Sequence, residues 1–148
     1  MYRPCVVAVF INNKGKLLVG KRPAPPVWQF PQGGIEKTET AEVALYREMA
    51  EEIGCHQFNI LLKGAQRTRY TFPKDLQSQI TKKYQGQEQT WFKCEFKKNQ
   101  KEDLQKALSE EFTEFKWVEP QDILDEIVFW KKDAYIKGLQ MLEIIPGE

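Results

Sequence analysis

The chain has 148 residues, enough for one domain with a sizeable core, and residues 1–148 are expected to form that single domain. Its net charge of +1 argues against tight non-specific nucleic-acid binding, although local basic patches can still hold phosphates. A lone histidine, His56, excludes a His-based triad or a multi-histidine metal centre. Cys5, Cys55 and Cys94 are widely spaced without a CxxC and read as free thiols in a reducing compartment, the cytoplasm. Neither a signal peptide nor a membrane-spanning apolar run is seen. Residues 5–11 form a continuous apolar run, which predicts a strand covered on both faces. Residues 12–15 predict a turn and residues 16–22 a second strand. Pro23, Pro25 and Pro26 break that strand into a loop. Residues 28–32 lead into the Gly33-Gly34 pair, read as a loop.

After Thr40 a helix is predicted. Thr40 is a good N-cap, Glu42 sits in the positive first turn, and Gly54 is a natural stop. His56 follows as an exposed loop residue. Residues 58–72 predict one or two strands, 73–86 a long polar loop, and 90–96 another strand. Residues 97–111 are charged and ambiguous, and 115–118 form a short strand. Pro120 opens a short helix through Asp125, and residues 129–144 predict an amphipathic C-terminal helix. Strands on either side of a mid-chain helix, with a terminal helix, predict an α/β fold with a mixed β-sheet between helices.

The chemistry concentrates in residues 33–55. Gly33 is followed after five residues by Glu39. Seven more lead to Arg47-Glu48, then Met49, Glu51-Glu52, Gly54 and Cys55. On a helix, Leu45, Tyr46, Met49, Ala50 and Ile53 share an apolar arc, while Glu48, Glu51 and Glu52 share a neighbouring arc of about 100°. Three carboxylates at i, i+3 and i+4 repel one another, and a hard cation such as Mg²⁺ or Mn²⁺ removes that cost. Arg-Glu-x-x-Glu-Glu alone would read as a solvated acidic face. The Gly33-Gly34 pair, Glu39 and Gly54 at their set distances argue against that. The spacing G-x5-E-x7-R-E-U-x-E-E-x-G-U, with every set position filled, resembles the box of the Nudix hydrolases, which cleave pyrophosphate bonds in nucleoside diphosphates linked to another group. The resemblance implies a Nudix α/β/α sandwich, catalytic Mg²⁺ or Mn²⁺, and a role for Arg47 in orienting a box glutamate. Thr38 stands where many relatives carry glycine, which bears on loop geometry rather than on activity.

Segments outside the box narrow the resemblance. Tyr2-Arg-Pro4, Trp28 to Ile35, Thr68-Arg-Tyr70, Gly86 to Phe92, Glu111-Phe112 and Trp117-Val118 look like the bacterial RNA 5′-pyrophosphohydrolases and the similar diadenosine tetraphosphate hydrolases of plant and proteobacterial type. The similarity runs from Tyr2 to about Leu142 and does not separate the two substrate classes. It implies metal ligation by Glu48, Glu51, Glu52 and Glu111, with Glu51 or Glu111 as base; Glu110 is the neighbour that could be confused with Glu111. It implies substrate contacts by Arg3, Arg22, Tyr70, Gln87, Gln89, Trp130 and Lys131, with Trp130 stacking a nucleobase. Trp28, Phe30, Trp91 and Trp117 are assigned mainly to core. The implied reaction is attack of water on a 5′-triphosphate RNA end, releasing pyrophosphate or phosphate, or on a dinucleoside tetraphosphate. Rival readings are a housekeeping pyrophosphatase for small nucleotides and a non-catalytic nucleotide-binding module, the latter usually lacking box glutamates. A monomer without membrane partners is expected.

Overall fold

The apolar run near the N-terminus becomes β1 (Tyr2–Phe10), the spine of the molecule. The computed structural model describes residues 1–23, 25–76, 79–97 and 112–147. Val6, Ala8 and Phe10 project into one apolar cluster, and Val7 and Val9 into another on the opposite face. Burial on both faces explains why β1 is apolar without alternation. Along one edge, β4 (Gln32–Gly34) pairs antiparallel, placing Gly33 opposite Val6 and Gly34 opposite Cys5. Along the other edge, β7 (Gly86–Phe96) runs parallel. The antiparallel strands β5 (Phe58–Lys63) and β6 (Thr68–Thr71) complete a five-stranded mixed sheet. A second, antiparallel sheet joins β3 (Trp28–Gln29), β2 (Leu17–Lys21) and β8 (Glu114–Val118).

Helices close both faces, giving the expected sandwich. Ala44, Leu45, Met49 and Ile53 of α1 (Ala41–Ile53) pack on Val6, Ala8 and Phe10. Tyr46 stays partly exposed and stacks on Phe58, with ring centres 4.6 Å apart. The opposite cluster is closed by α3 (Pro120–Glu126) and α4 (Lys132–Met141), which bring Ile123, Tyr135 and Leu139 onto Val7, Val9 and Trp91. Phe30 stacks on Tyr135 at 4.9 Å and donates its amide to the phenol oxygen.

Several elements differ from expectation. Gly33 and Gly34 lie on strand β4 rather than in a loop. The strand expected from residue 90 starts at Gly86, because Gln87 and Gln89 are buried with partners and their polarity disguised a buried strand. The loop after β6 contains a short helix, α2 (Gln79–Lys83). The C-terminal helix begins as a 3₁₀ turn (Phe129–Lys131) and stops at Met141. There Glu143 adopts φ 60°, and the Ile144 amide turns back to the Leu139 carbonyl at 3.0 Å. Trp28 and Trp117, assigned to core, are half-buried: lysines 21 and 116 lie over the Trp28 ring, and Trp117 meets Phe96 edge-on. The ambiguous charged stretch lies outside the described residues beyond Lys97. All three cysteines are free and buried, and His56 is exposed. Among the described residues no helix is long and apolar enough to cross a membrane.

Candidate active site

Both ends of α1 are set by the residues the sequence points to. Thr40 Oγ1 accepts the Val43 amide at 3.1 Å, and Gly54 takes φ 64°, a left-handed turn that suits glycine. This holds the glutamate-bearing face of α1 against β4. A Cβ at Gly33 would overlap the Glu48 carboxylate, and one at Gly34 would meet the Arg3 guanidinium. The two glycines therefore let a carboxylate and a cation approach the strand backbone.

Arg47 organises the acidic residues. Its Nε and Nη2 donate to the two oxygens of Glu39 at 2.6 and 2.7 Å, a bidentate pair. Nη2 also donates to the Gly34 carbonyl at 2.8 Å, and Nη1 to Glu48 Oε1 at 2.8 Å. Nη1 stands 3.5 Å from Glu51 Oε2. The guanidinium hydrogen bonds and the Glu36 amide pull the Glu39 carboxyl down to about 2. Burial pushes the Glu48 carboxyl upward despite Arg47. Glu52 is 8% exposed and accepts the Gln32 amide at 3.2 Å, whereas the Glu51 side chain is 62% exposed.

Among the described residues no three carboxylates close on one point. Glu48 and Glu51 lean on Arg47, and Glu52 turns to Gln32. Three carboxylates nevertheless share one guanidinium and Glu52 adds a fourth, a surplus of negative charge partly removed from water. Hard oxygen donors in that balance fit a divalent cation, and Glu48, Glu51 and Glu52 share one face of α1. Glu111 and Glu110 lie outside the described residues.

A cleft of about 660 Å³ opens beside this cluster, lined among others by Arg3, Gly34, Lys37, Arg47, Glu48 and Tyr84. A chain of contacts leads onward from it. The Arg3 charge acts on Glu48, Arg3 Nη1 donates to Gln87 Oε1 at 3.3 Å, and Gln87 Nε2 donates to the Tyr70 hydroxyl. Tyr70 then meets Trp130, ring centres 5.3 Å apart, and Phe72 closes the group at 6.0 Å from Trp130. Lys131 Nζ lies 5.6 Å from the Tyr70 ring centre and 5.1 Å from that of Trp130. Burial, then the nearby Arg22 charge, lowers the Lys131 ammonium to about 8. Arg3, Tyr70, Gln87, Trp130, Lys131 and Arg22 are thus brought together. Gln89 is fully buried, accepts from Thr68 at 2.9 Å and approaches Gln32 Oε1 at 3.4 Å, so it reaches a ligand only through Gln32.

Thr68, Gln32, Phe72 and Tyr84 were not among the site residues expected from the sequence, although Thr68 and Gln32 lie in segments that carry the resemblance. Thr68 is recognisable only from its pairing, since it accepts the Trp91 indole N–H at 2.8 Å and faces Gln89 across β6 and β7. Gln32 precedes the box glycines, a hint that its amide would meet a box glutamate. Tyr84 carries no signal, because a polar loop delivers it to the cleft.

The family model described as the NUDIX domain matches residues 1–137, and the chain belongs to that family. Over 139 residues it is 38% identical to an RNA pyrophosphohydrolase of Gluconobacter oxydans, covering 90% of this chain and 81% of that protein. It is 33% identical over 144 residues to an RNA pyrophosphohydrolase of Halorhodospira halophila, covering 95% and 80%. A C. elegans Ap4A hydrolase binary complex shares the fold with a TM-score of 0.66 at 17% identity, covering 97% of this chain and 99% of that one. Nudix hydrolases need divalent metal ions, and the carboxylate face of α1 suits that requirement.

Proposed function

We propose that this protein is a metal-dependent hydrolase that cleaves the pyrophosphate linkage of 5′-triphosphorylated RNA ends, releasing pyrophosphate or phosphate. The observation that carries the reading is the continuous path from the carboxylates around Arg47, through Arg3 and Gln87, to the cationic aromatic end at Tyr70, Trp130, Lys131 and Arg22. It supplies groups for a polyphosphate and a nucleobase side by side. The names of the relatives at 33% and 38% identity support the same substrate. We place the reaction in the cytoplasm, where buried thiols without disulfides persist, and take the protein to act as a monomer folded as one domain.

Glu48, Glu51, Glu52 and Glu111 would hold Mg²⁺ or Mn²⁺, which supplies charge to acidify water and to offset the leaving phosphate. The protein's own groups do the rest. Arg47 positions Glu48 and opposes the upward push of burial on its carboxyl, since it is bonded to Glu39, Gly34 and Glu48 at once. Glu51, the exposed box glutamate, or Glu111 takes the proton from the attacking water. Arg3 and Lys131 bind phosphate oxygens, and Trp130 and Arg22 clamp the base without base-specific hydrogen bonds.

A second reading, hydrolysis of a dinucleoside tetraphosphate, has one observation in its favour. The cleft beside Glu48 carries Tyr84 near Arg3 and Lys37, an aromatic and two cations that could take a second nucleoside and its phosphate. Product analysis with Mg²⁺ on triphosphorylated RNA and on diadenosine tetraphosphate, side by side, separates the two. RNA converted at least tenfold more efficiently supports the first, the reverse supports the second, and inert behaviour on both defeats the catalytic reading.

A further inference from the structure

We infer that Phe129 is a second stacking platform, for the base that follows the one held at Trp130. The inference rests on the RNA reading above and names the residue that would make the enzyme sensitive to RNA length. Phe129 is 82% exposed, the most exposed large apolar side chain among the described residues. A phenyl ring left in water contributes little to folding, and this one has no ring partner among the described residues. It is nonetheless held in place. The Lys131 amide bonds the Val128 carbonyl at 3.0 Å and the Lys132 amide bonds the Phe129 carbonyl, so Phe129 sits on a closed 3₁₀ turn.

The same turn explains why two bases are addressed rather than one. Successive side chains on a 3₁₀ helix diverge by about 120°. Trp130 points to Tyr70 and Phe72, whereas Phe129 points to solvent. The two rings cannot grip one base, but they can hold consecutive bases of a strand that leaves the cleft. Cations adjoin the turn in Lys131, the exposed Lys132 and Arg22, while the exposed acids of the flanking segments are Asp125, Glu126 and Asp133, with Glu126 engaged by Lys116. An exposed ring next to a half-buried one, with cations close by, suits a single strand whose bases stack in turn.

The test is kcat/KM for pyrophosphate or phosphate release from triphosphorylated RNAs of one, two, three and five nucleotides, for wild type, Phe129→Ala and Phe129→Tyr, with diadenosine tetraphosphate alongside. Wild type should gain with length. Phe129→Ala should lower the ratio of the longest to the shortest RNA about tenfold, within the range of one lost stack. Phe129→Tyr should restore the ratio, which a merely destabilised variant would not do. A Phe129→Ala profile parallel to wild type, an equal loss at every length, or a flat wild-type profile overturns the platform while leaving the RNA reading intact. So does unchanged RNA kinetics together with loss of self-association in sedimentation, which would make Phe129 a contact between copies. Wild type inert on every RNA overturns both.

Discussion

Arg47→Lys keeps the positive charge at the centre of the site and removes only the fork that distributes it. In the wild type one guanidinium reaches Glu39 through two donors, the Gly34 carbonyl at 2.8 Å and Glu48 at 2.8 Å. A lysine ammonium is a compact point charge on a flexible stem. It can follow Glu39, but then it cannot also reach Gly34 and Glu48. The bonds at stake are therefore the two to Gly34 and Glu48, each worth about 1.5–3 kcal/mol when one partner is charged. Arg47 is 27% exposed, so water screens part of this, and a net loss of about 2–4 kcal/mol follows. For a chain of this length that corresponds to a fall in Tm of roughly 5–15 °C. Glu48, already pushed upward by burial, loses its guanidinium hydrogen bond and moves further up, so the acid limb of the pH profile should shift to higher pH. Saturating divalent cation should recover part of the lost Tm, since it binds the native carboxylates and not the unfolded chain. The assays are thermal unfolding with and without metal, and single-turnover hydrolysis across pH. A variant whose Tm stays within 2 °C of wild type and whose rate stays within threefold, by roughly these measures, would show that the fork is ornamental.

Four further outcomes rest on the same geometry. Glu52→Gln and Glu51→Gln should each abolish turnover while leaving the circular dichroism and Tm close to wild type, because each removes a ligand charge and relieves repulsion on α1; activity within about tenfold of wild type for both would sink the metal assignment. Turnover should vanish in excess chelator and rise from acidic to mildly alkaline pH as carboxylates ionise and water loses its proton, then fall as Lys131 discharges near 8. The sign for stability is opposite. A lysine lowered in the folded state to about 8 from 10.5 carries its burial cost in full below 8 and sheds it between 8 and 10.5, so stability from this group rises across that window, and Lys131→Met should flatten the rise in thermal melts taken by pH. Trp130→Ala should lower kcat/KM by roughly ten- to a hundredfold, the range of one lost stack; unchanged values on both RNA and diadenosine tetraphosphate would make Trp130 a packing residue for Tyr70 and Phe72.

What the sequence determined by itself is whatever depends on neighbours along the chain. Thr40, Gly54 and the 3.6-residue period define α1, and the same period places Glu48, Glu51 and Glu52 on one face and Leu45, Met49 and Ile53 on another. The unbroken apolar run of β1 likewise announces a strand covered twice. Tertiary structure alone decided what meets across long separations. The parallel pairing of β1 with β7 sets Arg3 beside Gln87, 84 positions away, and the antiparallel pairing of β6 with β7 sets Thr68 and Tyr70 against Gln89 and Gln87. Those two glutamines fall between the loop and the strand expected from the sequence and are buried in fact, because a buried amide is acceptable once its partners arrive from other strands. Lys131 shows the same limit. Its position next to Trp130 was legible, but its burial against Tyr70 and its proximity to Arg22 come from packing, and these lower its pKa. Local periodicity carries no information about which strand edge or ring will close over a side chain, so the glutamate-bearing helix could be read from the chain itself, whereas Arg3, Tyr70, Gln87, Trp130 and Lys131 were suggested only by resemblance and brought together by packing.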